Sequence, residues 1–339
     1  MTRYVRGASL SNYAEVAVRV GLDPNAMLRR AGIDRRVLDD PDMRIPGDNV
    51  ADLLETSAVQ SGCPTFGLQM AESRRLSDFG ALSLLITHQA TMRDALMTLV
   101  QYRRLLNESL VVSVEEAGDT VVVREELLVG GPAQLRQAYE LAIGVMFRLF
   151  RSVLGPRWRP LSVNFTHGPP GDLTVHRRVF GAIVEFNSDF DGLTCSRADL
   201  DAPNPSADPM LAKFAERYVR TLPQAEQGSL ALDVQKAIYV LLPIGEASIG
   251  RVAASLGLNE RTLQRRLDEE GAEFTRLLND IRRELAVRYV ANTKLPLSRV
   301  ADLVGYSRQS SFSRWFSEEF GSSPTAWRSQ VDPTPGARP

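Results

Sequence analysis

Two short runs near the C-terminal end carry arginine and amide side chains at a spacing suited to recognition chemistry. The first reads Glu260-Arg261-Thr262-Leu263-Gln264-Arg265-Arg266-Leu267, and the second Arg308-Gln309-Ser310-Ser311-Phe312-Ser313-Arg314-Trp315-Phe316. Read as helices, the first places Leu263 and Leu267 on one face, four apart, and Arg261, Gln264 and Arg265 on the other. The second turns Phe312 and Phe316 inward and Gln309, Ser310, Ser313 and Arg314 outward. An outward arginine matches guanine O6 and N7, and a glutamine matches adenine N6 and N7. The implied chemistry is hydrogen bonding to base edges of double-stranded DNA. The competing reading is a solvated amphipathic helix whose arginines make surface ion pairs, for example Arg265 with Glu269 at i+4.

The elements that would position these runs also occur twice. Val252, Ala253 and Gly257 map onto Val300, Ala301 and Gly305 at one constant offset, and Leu263, Arg265 and Leu267 map onto Phe312, Arg314 and Phe316 at that offset plus one. Such self-similarity argues for two copies of one small unit. In each copy a short apolar helix ends at a glycine, where a left-handed turn carries no Cβ penalty. Asn259 is suited to cap the next helix, and Ser307 is expected to do so in the second copy. This is a pair of helix-turn-helix units with basic second helices.

The segment from Ile249 to Arg328 resembles the DNA-binding domain of AraC-type transcription regulators. The resemblance rests on Val300-Ala301, Gly305-Tyr306, the Ser-x-Phe-x-Arg-x-Phe run from Ser310 to Phe316, Gly321-Ser322-Ser323-Pro324, and Trp327-Arg328. It implies two helix-turn-helix units joined by a long helix near Phe274 to Asn292. The run from Trp158 to Pro170, with Phe180-Gly181, Val184-Glu185-Phe186 and Gly192-Leu193, is similar to one subgroup of that family, whose sensor is called the arabinose-binding type. That likeness implies a ligand-sensing, often dimerising domain of about 200 residues, and does not imply arabinose. The partners it implies are operator DNA, an unidentified small-molecule effector, a second copy of the chain and RNA polymerase. The role it implies is that of a sequence-specific regulator, expected here to be an activator.

The rest of the chain agrees with that frame. At 339 residues it should hold more than one domain. Hydrophobic residues make up 44% and charged residues 24%, as in ordinary globular proteins. The net charge of −1 gives no global attraction to nucleic acid. The basic excess is local, with 13 basic against 10 acidic residues from Ile249 to Gln330. The two cysteines, Cys63 and Cys195, form neither a disulfide framework nor a zinc pattern, which fits a reducing cytoplasm. The first residues lack the apolar stretch of a signal peptide, and no apolar run reaches the length of a membrane span.

Along the N-terminal part, helical spacing predicts Ser9 to Val20, a helix after Asp23-Pro24, Asn49 to Gln60 capped by Asp48, Phe79 to Thr87 and Thr91 to Leu106. Leu110 to Val114 and Thr120 to Arg124 predict a hairpin about Gly118-Asp119. A long helix from Gly131 to Leu154 follows. Then come strands at Leu161–Thr166, Ala182–Phe186 and Gly192–Cys195, with a helix over Leu173–Phe180. The sheet is expected to be small and antiparallel. Asp201 to Pro209 reads as a loop, and Pro209 to Tyr239 as helix broken near Pro223 and Gly228.

The expected organisation is an α+β sensor and dimerisation domain over 1–205 and a helical connector over 206–240. An all-α domain with two helix-turn-helix units follows over 241–330, then a disordered tail over 331–339.

In the sensor, Tyr139, Trp158 and His167 are polar-capable rings in apolar surroundings. They read either as buried residues satisfied by backbone groups or as part of a ligand pocket. Arg136 could hold a carboxylate, though a place on the helix surface is the plainer expectation.

Other functional classes find less support. Some domains of this family are fused to alkyl-transfer repair proteins with a cysteine nucleophile, yet neither Gly62-Cys63-Pro64 nor Thr194-Cys195-Ser196 has the proline-cysteine-histidine-arginine setting of those enzymes. His88, His167 and His176 show no metal-ligand spacing, and no glycine-rich phosphate loop occurs. No catalytic residue, metal or cofactor is therefore expected. A protein that had kept the fold without binding DNA would carry acids or bulky apolar groups on its recognition faces, and these faces carry arginine and glutamine instead.

Overall fold

The computed structural model describes residues 2–129, 135–222, 229–292 and 295–331. The chain divides into two compact units, Met1–Gln227 and Gly228–Pro339. The expected connector over 206–240 is thereby split, since its first helix packs in the first unit and its second helix in the second. The break near Pro223 and Gly228, the helix start at Gly131 and the tail from Asp332 lie outside the described residues.

The first unit opens with β1 (Tyr4–Arg6), α1 (Tyr13–Arg19), α2 (Pro24–Arg30), β2 (Arg44–Pro46), α3 (Gly47–Ser61) and α4 (Phe66–Glu72). Next come α5 (Ala81–Thr87), α6 (Met92–Gln101), the hairpin β3 (Leu110–Ala117) and β4 (Thr120–Leu127), and the long α7 (Arg136–Leu154). It closes with β5 (Ser162–Phe165), α8 (Thr174–Phe180), β6 (Ile183–Phe186), β7 (Gly192–Ser196), α9 (Arg197–Asp201) and α10 (Pro209–Arg220).

Local chemistry sets several of these boundaries. Asp23 caps α2 ahead of Pro24, and Thr91 caps α6 by accepting the Asp94 N–H. Asp48, expected as a cap, instead lies inside the first turn of α3. The helix starts two residues earlier than expected, at Gly47, whose N–H is held by the Arg3 carbonyl in continuation of the β1–β2 pairing.

Five strands form one sheet in the order β3-β4-β7-β5-β6. It is mixed, not antiparallel as expected, because β6 runs parallel to β5. The chain passes through α8 between those two strands, and a helical crossover returns it in the same direction.

α7 is the axis of the unit. Its Phe147, Phe150, Ile143 and Met146 join the core beneath the sheet, while Leu141 joins a second core built from α1 to α4. A helix buried on several faces explains the nearly continuous apolar run from Gly144 to Leu154.

The second unit holds α11 (Leu230–Leu241), α12 (Ile249–Ser255), α13 (Glu260–Glu269), α14 (Phe274–Ala291), α15 (Leu297–Leu303), α16 (Gln309–Phe320) and α17 (Pro324–Val331). It is all-α, as expected, with α14 as the long helix between the two helix-turn-helix pairs.

Candidate functional site

Each recognition helix is built outward from a buried stripe. Leu263 and Leu267 in α13, and Phe312 and Phe316 in α16, are all 1% exposed or less. Gly257 and Gly305 take φ of +68° and +78°, the left-handed turn that lets each apolar helix stop and the next begin. α13 starts at Glu260 because Asn259 Oδ1 accepts the Thr262 N–H at 2.8 Å. α16 starts four residues after its glycine, against three in the first copy. That single added residue accounts for the offset-plus-one in the repeat. It also overturns Ser307 as the cap: Arg308 holds the N-cap position, with no side-chain bond, and Ser307 stands one residue outside.

The second pair is braced by arginines from α14. Arg282 Nε donates to the Val304 carbonyl at 3.0 Å, and its guanidinium lies 5.1 Å from the centre of the Tyr306 ring. Arg283 bridges to Glu319 of α16 at 2.6 Å. Arg328 donates to the Val290 carbonyl at 2.9 Å and to that of Leu295, which gives the Trp327-Arg328 ending a physical role at the end of α14. Trp327 packs on Phe316 and Phe320. In the first pair, Glu270 receives Ser229 Oγ and the Leu230 and Ala231 N–H groups, capping α11. These ties hold the recognition helices on a rigid frame.

Arg261, Gln264 and Arg265 are exposed and line one shallow surface with Glu260, Asp268 and Glu269. On α16, Gln309, Ser310 and Arg314 are exposed and Ser313 half-buried. Arg265 pairs with Glu269 at 2.7 Å, with both side chains more than half exposed. The surface ion pair considered from the spacing is thus present. Arg314 makes no ion pair among the described residues, leaving its guanidinium open to a partner.

The three ring residues singled out in the sensor are not brought together. Tyr139 is buried, accepts the Leu127 N–H and donates to Glu126 Oε2, both at 3.2 Å. Trp158 stacks on Phe150 with ring centres 4.8 Å apart, and its Nε1 is buried without a hydrogen-bond partner. His167 Nδ1 lies 2.9 Å from the Gly168 carbonyl, and burial holds its imidazole down to a pKa of about 4, hence neutral at physiological pH.

His167 and the fully buried His176 approach Glu140 Oε1 at 3.7 and 3.2 Å, with Arg136 at 3.5 Å. Arg136 is therefore half-buried beside a carboxylate, where a place on the helix surface was expected. No periodicity or spacing pointed to Glu140 as the meeting point of these groups.

A different space in this unit went unseen in the sequence. An apolar cavity lies among α3, α7 and the β3–β4 hairpin, and none of the three rings lines it. Glu125 does, on a strand that continues three residues past its expected end at Arg124. The available signal was a pair of acids, Glu125-Glu126, followed directly by Leu127-Leu128-Val129.

Neither cysteine has the surroundings of a nucleophile. Burial pushes the Cys195 thiol up to about 12, and Cys63 Sγ accepts a hydrogen bond from Gln69. Among the described residues no single helix is long and apolar enough to cross a membrane.

Residues 21–204 match the model of the arabinose-binding domain at the N-terminus of AraC transcription regulators, and residues 252–330 match a helix-turn-helix domain. The transcriptional regulator VirS of Mycobacterium tuberculosis is 29% identical over 326 residues, covering 96% of each chain. The ornithine utilization regulator of Pseudomonas aeruginosa is 24% identical, covering 93% of each. A crystal structure of the transcriptional regulator CdpR from Pseudomonas aeruginosa aligns over 90% of this chain and 96% of that one, with a TM-score of 0.45 and 23% identity. The first family match alone spans more than half of the sequence. The chain belongs to the AraC family of transcription regulators, with an N-terminal ligand-binding domain and a C-terminal helix-turn-helix domain that binds DNA.

Proposed function

We propose that α13 and α16 enter successive major-groove segments on one face of operator DNA, about 34 Å apart. Arg261, Gln264 and Arg265 read bases from α13, and Gln309, Ser310, Ser313 and Arg314 read them from α16. The observation that carries this reading is the matched pair of polar faces set over matched buried stripes. Other exposed arginines, with the helix N-termini, contact phosphates and set register without reading sequence.

The sensor acts on this domain by shifting a pre-existing equilibrium when its effector binds. The protein works as a homodimer associating through its N-terminal domain. An exposed apolar row on α10, made of Met210, Leu211, Phe214 and Tyr218, supports that assignment, since monomers rarely leave such a row in water. Its place is the cytoplasm and its onward partner at the promoter is RNA polymerase, which it serves as an activator.

The test is selection of bound duplexes from a random library by the full-length protein. The expected result is an enriched site with two elements one helical turn apart. No enrichment over the input pool at matched salt would overturn the sequence-specific reading.

A further inference from the structure

The cavity among α3, α7 and the hairpin measures about 170 Å³, and its lining is mostly aliphatic. Two polar groups on that lining are buried to 1% exposure yet lack hydrogen-bond partners: Glu125 Oε2 on β4 and Ser109 Oγ just before β3. An unpaired buried polar atom is destabilising, and such atoms are rare unless something meets them. Position 47 adds an independent sign. A Cβ there would come within 2.7 Å of both Ser109 Oγ and Val129 Cγ1, so a side chain at that position would have to displace the hydroxyl or the valine.

Size and charge narrow the occupant. An engineered cavity of roughly 150 Å³ holds benzene, so this one suits a single ring with a small substituent. The charged groups around it are Glu125, with Asp191 behind it, and Arg6, Arg74, Arg75 and Asp78. Arg74 donates twice, to the carbonyls of Ala8 and Ser9, while its buried Nε has no partner, and Arg6 is held by Asp42 and the Asp78 carbonyl. In so small a space an anionic ligand would lie near the Asp191 carboxylate behind Glu125, and a cationic one near the arginines. A neutral ligand avoids both repulsions.

We propose that this cavity is the effector site, and that it takes an uncharged, mainly apolar molecule of substituted-benzene size whose one hydroxyl, carbonyl or amide bonds Glu125 and Ser109. The proposal rests on the N-terminal domain being the ligand-binding part. The Glu125 carboxyl supports it, because burial pushes its pKa up to about 8 and keeps it a neutral donor and acceptor at physiological pH.

The experiment titrates the full-length protein with benzyl alcohol, benzylamine and benzoate, three probes of one skeleton and three charges, by calorimetry and thermal shift. Benzyl alcohol should bind about tenfold more tightly than either ion. Glu125→Gln, which still donates and accepts, should keep affinity within a few-fold, and Glu125→Leu should lose about tenfold. Ala142→Leu, placed on the cavity wall, should abolish binding. Melting curves without probe confirm that each variant folds, and the two Glu125 variants keep the test decisive if Ala142→Leu does not. Tighter binding of benzoate or benzylamine, equal affinity of Glu125→Leu and wild type, or no binding of benzyl alcohol at millimolar concentration would each overturn the proposal. Binding to selected operator DNA is recorded on the same samples. Intact DNA binding without probe binding refutes the cavity assignment alone, whereas loss of both removes the regulator reading as well.

Discussion

Arg265 is the residue on which base reading and surface pairing compete most directly. Its guanidinium lies 2.7 Å from Glu269, with side-chain exposures of 64% and 57%. At that exposure solvent screens the pair to about 0–1 kcal/mol. A bidentate contact to a guanine is worth about 1–3 kcal/mol of discrimination, so DNA can take the guanidinium from Glu269. Arg265→Ala should therefore weaken binding to the selected operator by about 5- to 150-fold and relax preference at one base pair. Glu269→Ala should strengthen binding by no more than about fivefold, because it removes a weak competitor and a negative charge near the phosphates. In the double variant this gain should fall, since no arginine remains to be freed. The assay is fluorescence anisotropy against operator variants at several salt concentrations. Uniform weakening of all variants by Arg265→Ala, with the salt slope reduced by about one, would refute base reading and leave a phosphate contact. No change at all would leave only the ion pair.

Further outcomes follow from other sites. Arg314→Ala should also weaken operator binding, by about 1–3 kcal/mol if it reads a base, and the same salt series separates this from a phosphate contact. Asn259→Ala should lower thermal stability by about 1 kcal/mol, while Ser307→Ala should change it little, since only Asn259 makes a capping bond. Equal effects in melting experiments would refute the cap assignment. Phe214→Glu should shift the protein towards monomer in sedimentation by placing a charge in the apolar row of α10; an unchanged distribution removes that row from the interface. Glu125 provides a pH test. Its carboxyl is raised to about 8 in the fold from an ordinary 4.5, so the native state holds the extra proton between those values. Its stabilising contribution is full below about 4.5 and is lost as pH rises through about 8. Glu125→Gln should therefore melt higher than wild type above pH 8, with the gap closing towards pH 5; parallel profiles would refute the buried titration.

The recognition half of the molecule was legible because its information is local. Leu263 and Leu267, or Phe312 and Phe316, lie four residues apart, and the polar residues between them face away by helical geometry alone. A left-handed glycine and a capping asparagine act within one turn of their neighbours, so Gly257 and Asn259 could be assigned from sequence. The same local reasoning failed at Ser307, where one added turn residue moves the helix start. It failed again at β6, whose direction depends on the path taken by a crossover helix. The pairing of Arg265 with Glu269 was visible as a possibility, but only the structure shows the contact formed. The sensor's interior belongs wholly to tertiary structure. Glu125 and Ser109 meet α3 and α7 across long sequence separations, and nothing in the pair Glu125-Glu126, both of which are buried, says which acid will line the cavity. Tyr139, Trp158 and His167 drew notice for their side chains, yet the fold spends them on packing and hydrogen bonds elsewhere. Periodicity and capping determine a helical DNA-binding face, whereas a cavity exists only where distant elements fail to fill the space between them.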